Sequence, residues 1–325
     1  VYYDRTDRRA NIDQNVNVLD IDFQHRFPVA CNHNIIWGLG YRRYWDTLRP
    51  QLTPPIIDII PNVRTYELAS AFLQDEVTIR EDELYFTLGT KISDNRFTDF
   101  EVQPSARLLW LPNQRSAMWA AVSRAVRVPS RSEIDGQFIT GQLPPAAGGG
   151  PILLFGNLGL DAEDMIAYEV GYRAAPTDWF SWDVATFYNV YEKLTNFRNL
   201  QPFPPVLQLF NAFHGESYGF EISSQVQMAC WWRISGWYSF IRLDLNDNPT
   251  AVQPPSTIEH RVPTNQAFVM STLNLTDDID FAVMARYVDV LPSENVPSYI
   301  AMDARLAWRP NQGTELAVVG QNLLD

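Results

Sequence analysis

One pentapeptide has the spacing of a hydrolytic nucleophile. Gly215-Glu216-Ser217-Tyr218-Gly219 matches the G-x-S-x-G pattern, in which the serine lies on a sharp turn between a strand and a helix. The residues that follow, FEISSQVQ, alternate apolar and polar side chains and therefore predict a strand instead of a helix. Ser217 is thus predicted to begin a strand, and a soluble β-rich hydrolase that uses Ser217 remains an alternative function.

Metal-binding and cysteine patterns are weak. The segment DLNDN at 244–248 resembles the start of an EF-hand loop, but Pro249 stands where glycine is required and Pro255 where glutamate is required. A loose calcium contact in this segment stays open. The four histidines have no zinc spacing, and Cys31 and Cys230 are too few to form a disulfide framework. The sequence therefore predicts no cofactor and no resident metal.

A group of arginines lies where a predicted strand runs into the longest connection of the chain. Guanidinium groups bind carboxylates and phosphates through two hydrogen bonds, so this group could steer an anionic ligand. The alternative is a charge network at the rim of the fold. Further candidates are on a polar strand face and in the next long connection. The candidate ligand-binding residues are Arg124, Arg127, Arg131, Glu169, Arg173, Phe197 and Arg198.

A hairpin between Glu163 and Lys193 positions Glu169 and Arg173. Its two alternating runs, 166–173 and 180–191, are joined by the short turn AAPTD at 174–178. Each run has one apolar face and one face with charged, amide and small residues. Strands this long exceed the usual five or six residues and are typical of a membrane-spanning barrel.

The same period-2 pattern recurs along the chain, with short and long connections in alternation. Outer-membrane barrels have short periplasmic turns and long extracellular loops, which predicts that 174–178 faces the periplasm. Long connections are predicted at 49–62, which is Pro-rich, at 127–162, as a mobile Gly- and Pro-rich loop, and at 193–214 and 244–262. The predicted strands are 16–27, 34–45, 63–79, 84–91, 100–111, 116–126, 166–173, 180–191, 218–227, 232–243, 267–275, 280–289, 299–308 and 315–323, with a partial strand at 1–4.

Composition agrees with this interpretation and excludes some classes. The 325 residues are 46% apolar and 13% aromatic, which suits a folded β protein, here taken as one domain over 1–325. The net charge of −13 argues against nucleic-acid binding. An Arg or Lys side chain in mid-membrane lipid costs about 2–4 kcal/mol, so the charged strand faces must line the lumen. The predicted fold is all-β, an antiparallel up-and-down transmembrane β-barrel.

Several stretches resemble the C-terminal barrel of TonB-dependent outer-membrane receptors. They occur in the order found in that family and cover essentially the whole chain. They are YEVGYR at 168–173, FGNLGLDAE at 155–163, VSRAVRVPS at 122–130, PSARLLW at 104–110, GESYGFE at 215–221 and VGQNLLD at 319–325. The GESYGFE segment resembles a barrel strand of the family, which accounts for the match to the nucleophile pattern.

The resemblance implies a fold and a function. It implies a barrel in the outer membrane of a Gram-negative bacterium, with about fourteen of roughly 22 strands in this chain. Val1 is not Met, so we expect a truncated start, with a plug and a TonB-contacting box upstream and one more strand downstream. The implied partners are the TonB complex, outer-membrane lipid and a small-molecule ligand such as a ferric siderophore, cobalamin or an oligosaccharide, bound by a monomer that is not an enzyme. A passive porin-like channel remains the alternative.

Overall fold

The computed structural model describes residues 1–52 and 55–324, and most of them lie in β-strands. Two short helices, α1 (Arg131–Asp135) and α2 (Pro255–Glu259), and two 3₁₀ turns, Pro145–Ala147 and Pro292–Glu294, lie in the connections. The strands are β1 (Tyr2–Arg9), β2 (Ile12–Val29), β3 (His33–Pro50), β4 (Ile57–Ile59), β5 (Val63–Arg80), β6 (Leu84–Asn95), β7 (Asp99–Asn113), β8 (Ser116–Arg127), β9 (Gly136–Leu143), β10 (Gly150–Phe155), β11 (Glu163–Thr177), β12 (Phe180–Pro202), β13 (Pro205–Ala229), β14 (Trp232–Leu245), β15 (Asn265–Thr276), β16 (Ile279–Val288), β17 (Tyr299–Asn311) and β18 (Thr314–Gly320).

In the described part of the chain, fifteen strands form one antiparallel meander. Each pairs with the next in the chain, except that β3 pairs with β5 and β8 with β11, because β4, β9 and β10 lie in the intervening connections. One end of the sheet, called here the short-turn end, has only turns of two or three residues. The other is the long-loop end. Within the described residues no pairing joins β18 to β1, so the sheet is not closed.

The strand predictions are confirmed in position, and several strands are longer than predicted. The last one is shorter, because β18 ends at Gly320 and not at the predicted residue 323. The partial strand at 1–4 is the full strand β1. The prediction of a long connection at 193–214 is wrong, because β12 and β13 continue through it and leave only two residues between them. The segment 319–325 ends on Asp325, and the predicted connection between β3 and β5 contains Thr53 and Pro54; all three lie outside the described residues.

The two faces of the sheet differ in chemistry, and β11 shows the difference clearly. Ile166, Tyr168 and Val170 are exposed on the apolar face, while Glu169 and Arg173 point to the polar face. A row of exposed large apolar side chains along neighbouring strands is a surface that water does not favour and that lipid covers. No helix among the described residues is long and apolar enough to cross a membrane.

Aromatic rings fill the space above glycines on the polar face. Gly171 is buried under the indole of Trp119 on the neighbouring strand, and a Cβ at Gly171 would lie 2.3 Å from the indole nitrogen. The guanidinium carbon of Arg107 lies 6.0 Å from the centre of the Trp119 ring. The glycine of the YEVGYR segment is therefore required for close packing. The same arrangement joins Gly38 to Phe72 and Gly219 to Phe187.

Candidate functional site

The connection between β8 and β11 is folded, and it runs along the inside of the long-loop end. β9 pairs antiparallel with β4 and with β10, and β10 pairs parallel with β13. This segment, residues 128–162, is called the bridge. It links the β3–β5 side of the sheet to the outer part of β13. The prediction of a mobile loop at 127–162 is therefore wrong.

Helix α1 of the bridge has a sequence signature that predicts its start. Ser130 is the N-cap and accepts a hydrogen bond from the backbone N–H of Glu133, and the Glu133 carboxylate accepts one from the backbone N–H of Ser130. This capping box satisfies two backbone donors that the first turn of a helix leaves free. The motif Ser-Arg-Ser-Glu followed by Gly136 is visible in the sequence, and it could have predicted the helix.

A buried ionic cluster anchors α1 to the sheet. The Arg131 guanidinium forms ion pairs with Asp46 on β3 and with Asp135 one turn later in α1, at 3.4 Å in the second pair. Arg64 on β5 lies 2.7 Å from Asp135. The side chains of Arg131, Asp46 and Asp135 are only 6%, 4% and 2% exposed. Because Asp46 and Arg64 point to the polar face, α1 lies on that side of the sheet. Sequence analysis found Arg131 but missed its three partners.

The cluster also forms a hydrogen bond to the backbone, and the pKa values of its members are shifted. Arg131 donates a hydrogen bond to the Pro61 carbonyl, which further fixes the helix beside β5. Burial raises the pKa of Asp135, and the guanidinium groups of Arg64 and Arg131 oppose that rise. Burial lowers the pKa of Arg131, but a guanidinium stays charged at any physiological pH. The cluster is therefore an ionic anchor for the bridge.

Arg127 makes a second connection between the bridge and the strands. Its Nε and Nη2 donate to the two carboxylate oxygens of Glu163 at 2.7 and 2.6 Å, and its Nη1 donates to Glu133 at 3.0 Å. The hydrogen bond with Glu163 raises the pKa of Arg127. Burial alone would raise the pKa of Glu163, but the hydrogen bonds from Arg127 and from the Thr195 backbone N–H lower it overall.

Arg124, like Arg127, is paired with two carboxylates. Its Nη2 lies 2.6 Å from Asp164 and 3.4 Å from Glu101, and its Nη1 donates to the Val102 carbonyl. Each of the three predicted arginines therefore contacts two carboxylates of the chain itself. This arrangement favours the predicted alternative, a charge network at the rim, over an open site for anions. Their contact with a ligand remains a prediction.

Phe197 and Arg198 lie on the outer extension of β12, and only Arg198 faces a polar partner. Phe197 packs against an apolar cluster beneath the bridge. Arg198 donates from Nη2 to Gln208 at 2.7 Å, and its guanidinium lies 5.6 Å from the centre of the Phe210 ring. A role of either residue in ligand binding remains a prediction. The cluster contains Ile134, Leu160 and Leu209, with Phe97, Leu154 and Phe197 against it.

Glu169 and Arg173 lie on the polar face of β11. Glu169 is half-buried, and Arg173 is exposed and donates from Nε to Asp183 at 2.6 Å. Arg173 and Asp183 form one side of a concavity of about 380 Å³ on the polar face of β12 to β15. The structure thus separates the candidate residues into a rim group on or beside the bridge and a wall group on the polar face.

The remaining chemical motifs are structural. Ser217 is buried within β13, where its Oγ lies 3.1 Å from the Asn189 amide and 3.0 Å from the Tyr191 hydroxyl. A serine inside a strand lacks the strand-to-helix turn of a nucleophile elbow. The Asn248 side-chain oxygen accepts from the Thr250 backbone N–H and holds a turn. In the described part of the chain, no group of three His, Cys, Asp or Glu side chains is placed to hold a metal ion.

The sequence matches a family model over nearly its full length. The model is described as TonB dependent receptor-like, beta-barrel, and it matches residues 1–323. The chain belongs to this family. Its fold is that of a transmembrane barrel in the Gram-negative outer membrane, so the apolar strand face contacts lipid and the polar face lines the lumen. By the general rule for such barrels, the short-turn end is periplasmic and the long-loop end extracellular.

Solved structures of TonB-dependent receptors share the fold. The siderophore receptor PirA from Acinetobacter baumannii is 14% identical with a TM-score of 0.75, over 96% of this chain and 51% of that chain. A variant of the ferric enterobactin receptor PfeA from Pseudomonas aeruginosa is 16% identical with a TM-score of 0.73, over 96% and 49%. The FrpB iron transporter from Neisseria meningitidis is 13% identical with a TM-score of 0.70, over 96% and 51%.

The matched structures are longer than this chain. The chain spans about half the length of each of these three structures. No curated protein matches the sequence. The comparisons therefore establish the family and the fold.

Proposed function

We propose that the chain forms the barrel wall of a receptor for energy-coupled, TonB-dependent uptake of a scarce nutrient. The family match over residues 1–323 carries this proposal. The nutrient is a ferric siderophore, cobalamin or an oligosaccharide, and the iron and siderophore receptors among the structural neighbours support the first. The chain makes or breaks no bond. Its partners are outer-membrane lipid, the ligand, and the TonB complex through a plug of the same protein, which acts as a monomer.

The position of the bridge favours a receptor function over that of a passive channel. It holds a helix and two strands against the inside of the extracellular rim, anchored at Asp46 and Arg64 on one side and at β13 on the other. A structured segment fixed at the mouth restricts a pore and offers a preorganised surface to a ligand. The ion-paired arginines Arg127 and Arg131 hold this surface in place. Arg124 joins β7 to β11 beside it.

An uptake experiment tests the proposal. A strain that lacks the gene is compared with the complemented strain for accumulation of radiolabelled ferric siderophores, cobalamin and maltodextrins, with and without a protonophore. We expect one ligand to accumulate only in the complemented strain and only while the proton gradient persists. Accumulation that is unchanged by the protonophore would support the porin-like channel instead. Loss of an esterase activity in the Ser217→Ala variant would support the hydrolase.

A further inference from the structure

The bridge and the outer parts of β12 and β13 leave the sheet along one stretch of the extracellular rim. The bridge starts after β8 and ends at β11, and these two strands are paired neighbours. β12 and β13 come next in the sheet, and their outer parts, residues 194–213, are called here the outer hairpin. Both segments are therefore attached to the β8–β13 side of the sheet.

Contacts between these two segments join them into one unit. Three residues of β10, starting with Leu153, pair in parallel with three residues of the outer hairpin. The Asn157 amide donates a hydrogen bond to the Leu209 carbonyl at 3.0 Å. Ile134 and Leu160 of the bridge belong to the same buried apolar cluster as Leu209. The bridge and the outer hairpin together, residues 128–162 and 194–213, are called the flap.

The stem of the flap has the irregular backbone of a hinge. The register of β12 and β13 shifts between Tyr191 and Leu194, and Lys193 has a positive φ of 61°. Bulges bend a strand and interrupt its hydrogen bonds, and hinges are short segments that absorb changes in backbone angles. The bridge ends at the same place, because the Asp161 carboxylate lies 3.2 Å from the Lys193 ammonium group. The Asn211 amide donates to the backbone carbonyls of both residues.

The opposite side of the flap is held by the buried ionic cluster. Through Arg131 and Asp135, this cluster joins α1 to β3 and β5, which are several strands away from the stem. Beside it, the Ile60 N–H donates to the Asp135 carbonyl at 3.0 Å. The Ile139 N–H donates to the Ile56 carbonyl at 2.9 Å. These contacts must break before the flap can move relative to β3 and β5.

We propose that the flap swings as one unit about the stem at Lys193, and that the Arg131 cluster is its latch. When the latch parts, the extracellular end of the barrel opens while the bridge and the outer hairpin stay joined. Removing one partner from a buried ion pair leaves a charge that must be hydrated, so the ionic contacts part together. The device is a property of the folded chain, so its test needs neither ligand nor uptake, and its failure leaves the proposed function intact.

Hydrogen exchange of the full-length protein in detergent, resolved to single amides, tests the proposal. The Arg131→Met variant should speed exchange at Ile60 and Ile139, whose hydrogen bonds cross the latch, by roughly a hundredfold to a few thousandfold. Exchange at Gly156 and Asn157 should stay unchanged, because their N–H groups donate to carbonyls within the flap. The first pair is called the latch amides and the second the flap amides.

Two disulfide crosslinks, introduced after the two native cysteines are replaced by serine, provide matched controls in the Arg131→Met background. Ile57→Cys with Phe138→Cys joins β4 to β9 across the latch. Leu154→Cys with Leu207→Cys joins β10 to β13 within the flap. The first crosslink should restore slow exchange at the latch amides, and the second should leave their exchange fast.

Four outcomes overturn the proposal. The first is exchange that rises as much at the flap amides as at the latch amides, because the bridge would then detach from the outer hairpin. The second is slow exchange restored by the crosslink within the flap. The third is faster exchange in 180–190, which would move the bend into the membrane-spanning part of β12. The fourth is unchanged exchange at the latch amides, both in Arg131→Met and in Asp46→Asn, which removes the latch from the wall side and replaces Arg131→Met if that variant does not assemble.

Discussion

Removing Arg131 should release the bridge without unfolding the barrel. The Arg131→Met variant leaves the carboxylates of Asp46 and Asp135 buried, with Arg64 as their remaining cationic neighbour among the described residues. Breaking a buried ion pair by removing one partner costs about 3–5 kcal/mol. Because the cluster joins α1 to the wall but lies outside the strand ladder, this cost falls on local opening of the bridge.

The size of the effect follows from that free energy. At about 1.4 kcal/mol per tenfold change, 3–5 kcal/mol raises the open population of the bridge by roughly a hundredfold to a few thousandfold. Hydrogen exchange followed by mass spectrometry should show this increase in peptides from 131–143 and little change in β14 to β16. Limited proteolysis should cut within 128–162.

A surface ion pair provides the control. Arg261 and Glu294 are paired at 3.1 Å with both side chains about half exposed, so the Arg261→Gln variant should change stability by no more than about 1 kcal/mol. If exchange in 131–143 rises no more in the Arg131→Met variant than in the Arg261→Gln variant, the buried cluster does not anchor the bridge.

Three further predictions concern packing, pH and the lipid face. The Gly171→Ala variant places a Cβ against the Trp119 indole and should lower the free energy of unfolding in urea by about 1–3 kcal/mol. The Gly89→Ala variant is the control and should cost less, because its Cβ would lie 3.4 Å from its nearest neighbours. Equal losses in the two variants would exclude the packing role of Gly171. The pKa of Glu163 is lowered in the fold, so its stabilisation is present above the unfolded pKa of about 4.3 and is lost as pH falls through the folded value. Proteolytic protection of 128–162 should therefore fall on acidification below about pH 4, and an unchanged pH profile in the Glu163→Gln variant would contradict this assignment. The Val170→Arg variant places a charge on the lipid face, which costs about 2–4 kcal/mol, and should reduce the amount of assembled, heat-modifiable protein. The Glu169→Arg variant places the same charge on the lumen face and should assemble normally. The reverse result would show that the two faces are assigned the wrong way round.

The transmembrane hairpins could be predicted from sequence because their signal is local. The alternation in 166–173 and 180–191 fixes which side chains share a face, and a membrane penalty for misplaced charge fixes which face meets lipid. The register found in the structure, with Tyr168 opposite Tyr188, agrees with that pattern. The predicted turn at 174–178 lies a few residues too early, because β11 continues to Thr177 and only Asp178 and Trp179 separate it from β12.

The bridge could not be predicted in full, because its partners are distant in the sequence. β10 pairs with β13 through Leu153 and Val206, and Arg131 meets Asp46, which no periodic pattern connects. The glycines and prolines around 144–151 suggested a loop and concealed two short strands. In the same way, the prolines near 202–205 indicated a long connection, although they lie only at the tip of β12 and β13. Proline is tolerated at strand ends, so it marks the tip and does not exclude the strands.

Labelling of single cysteines on intact cells tests the central claim, a membrane barrel with its long-loop end outside. Cys31 and Cys230 are exposed and are first replaced by serine to remove background. Phe203→Cys then places one thiol between β12 and β13 at the long-loop end, and Asp178→Cys places one in the turn between β11 and β12. A 5 kDa polyethylene glycol maleimide should label the cysteine at 203 on intact cells and the cysteine at 178 only after the outer membrane is permeabilised. Labelling at 178 on intact cells, or no labelling at 203, would contradict the proposed placement of the barrel.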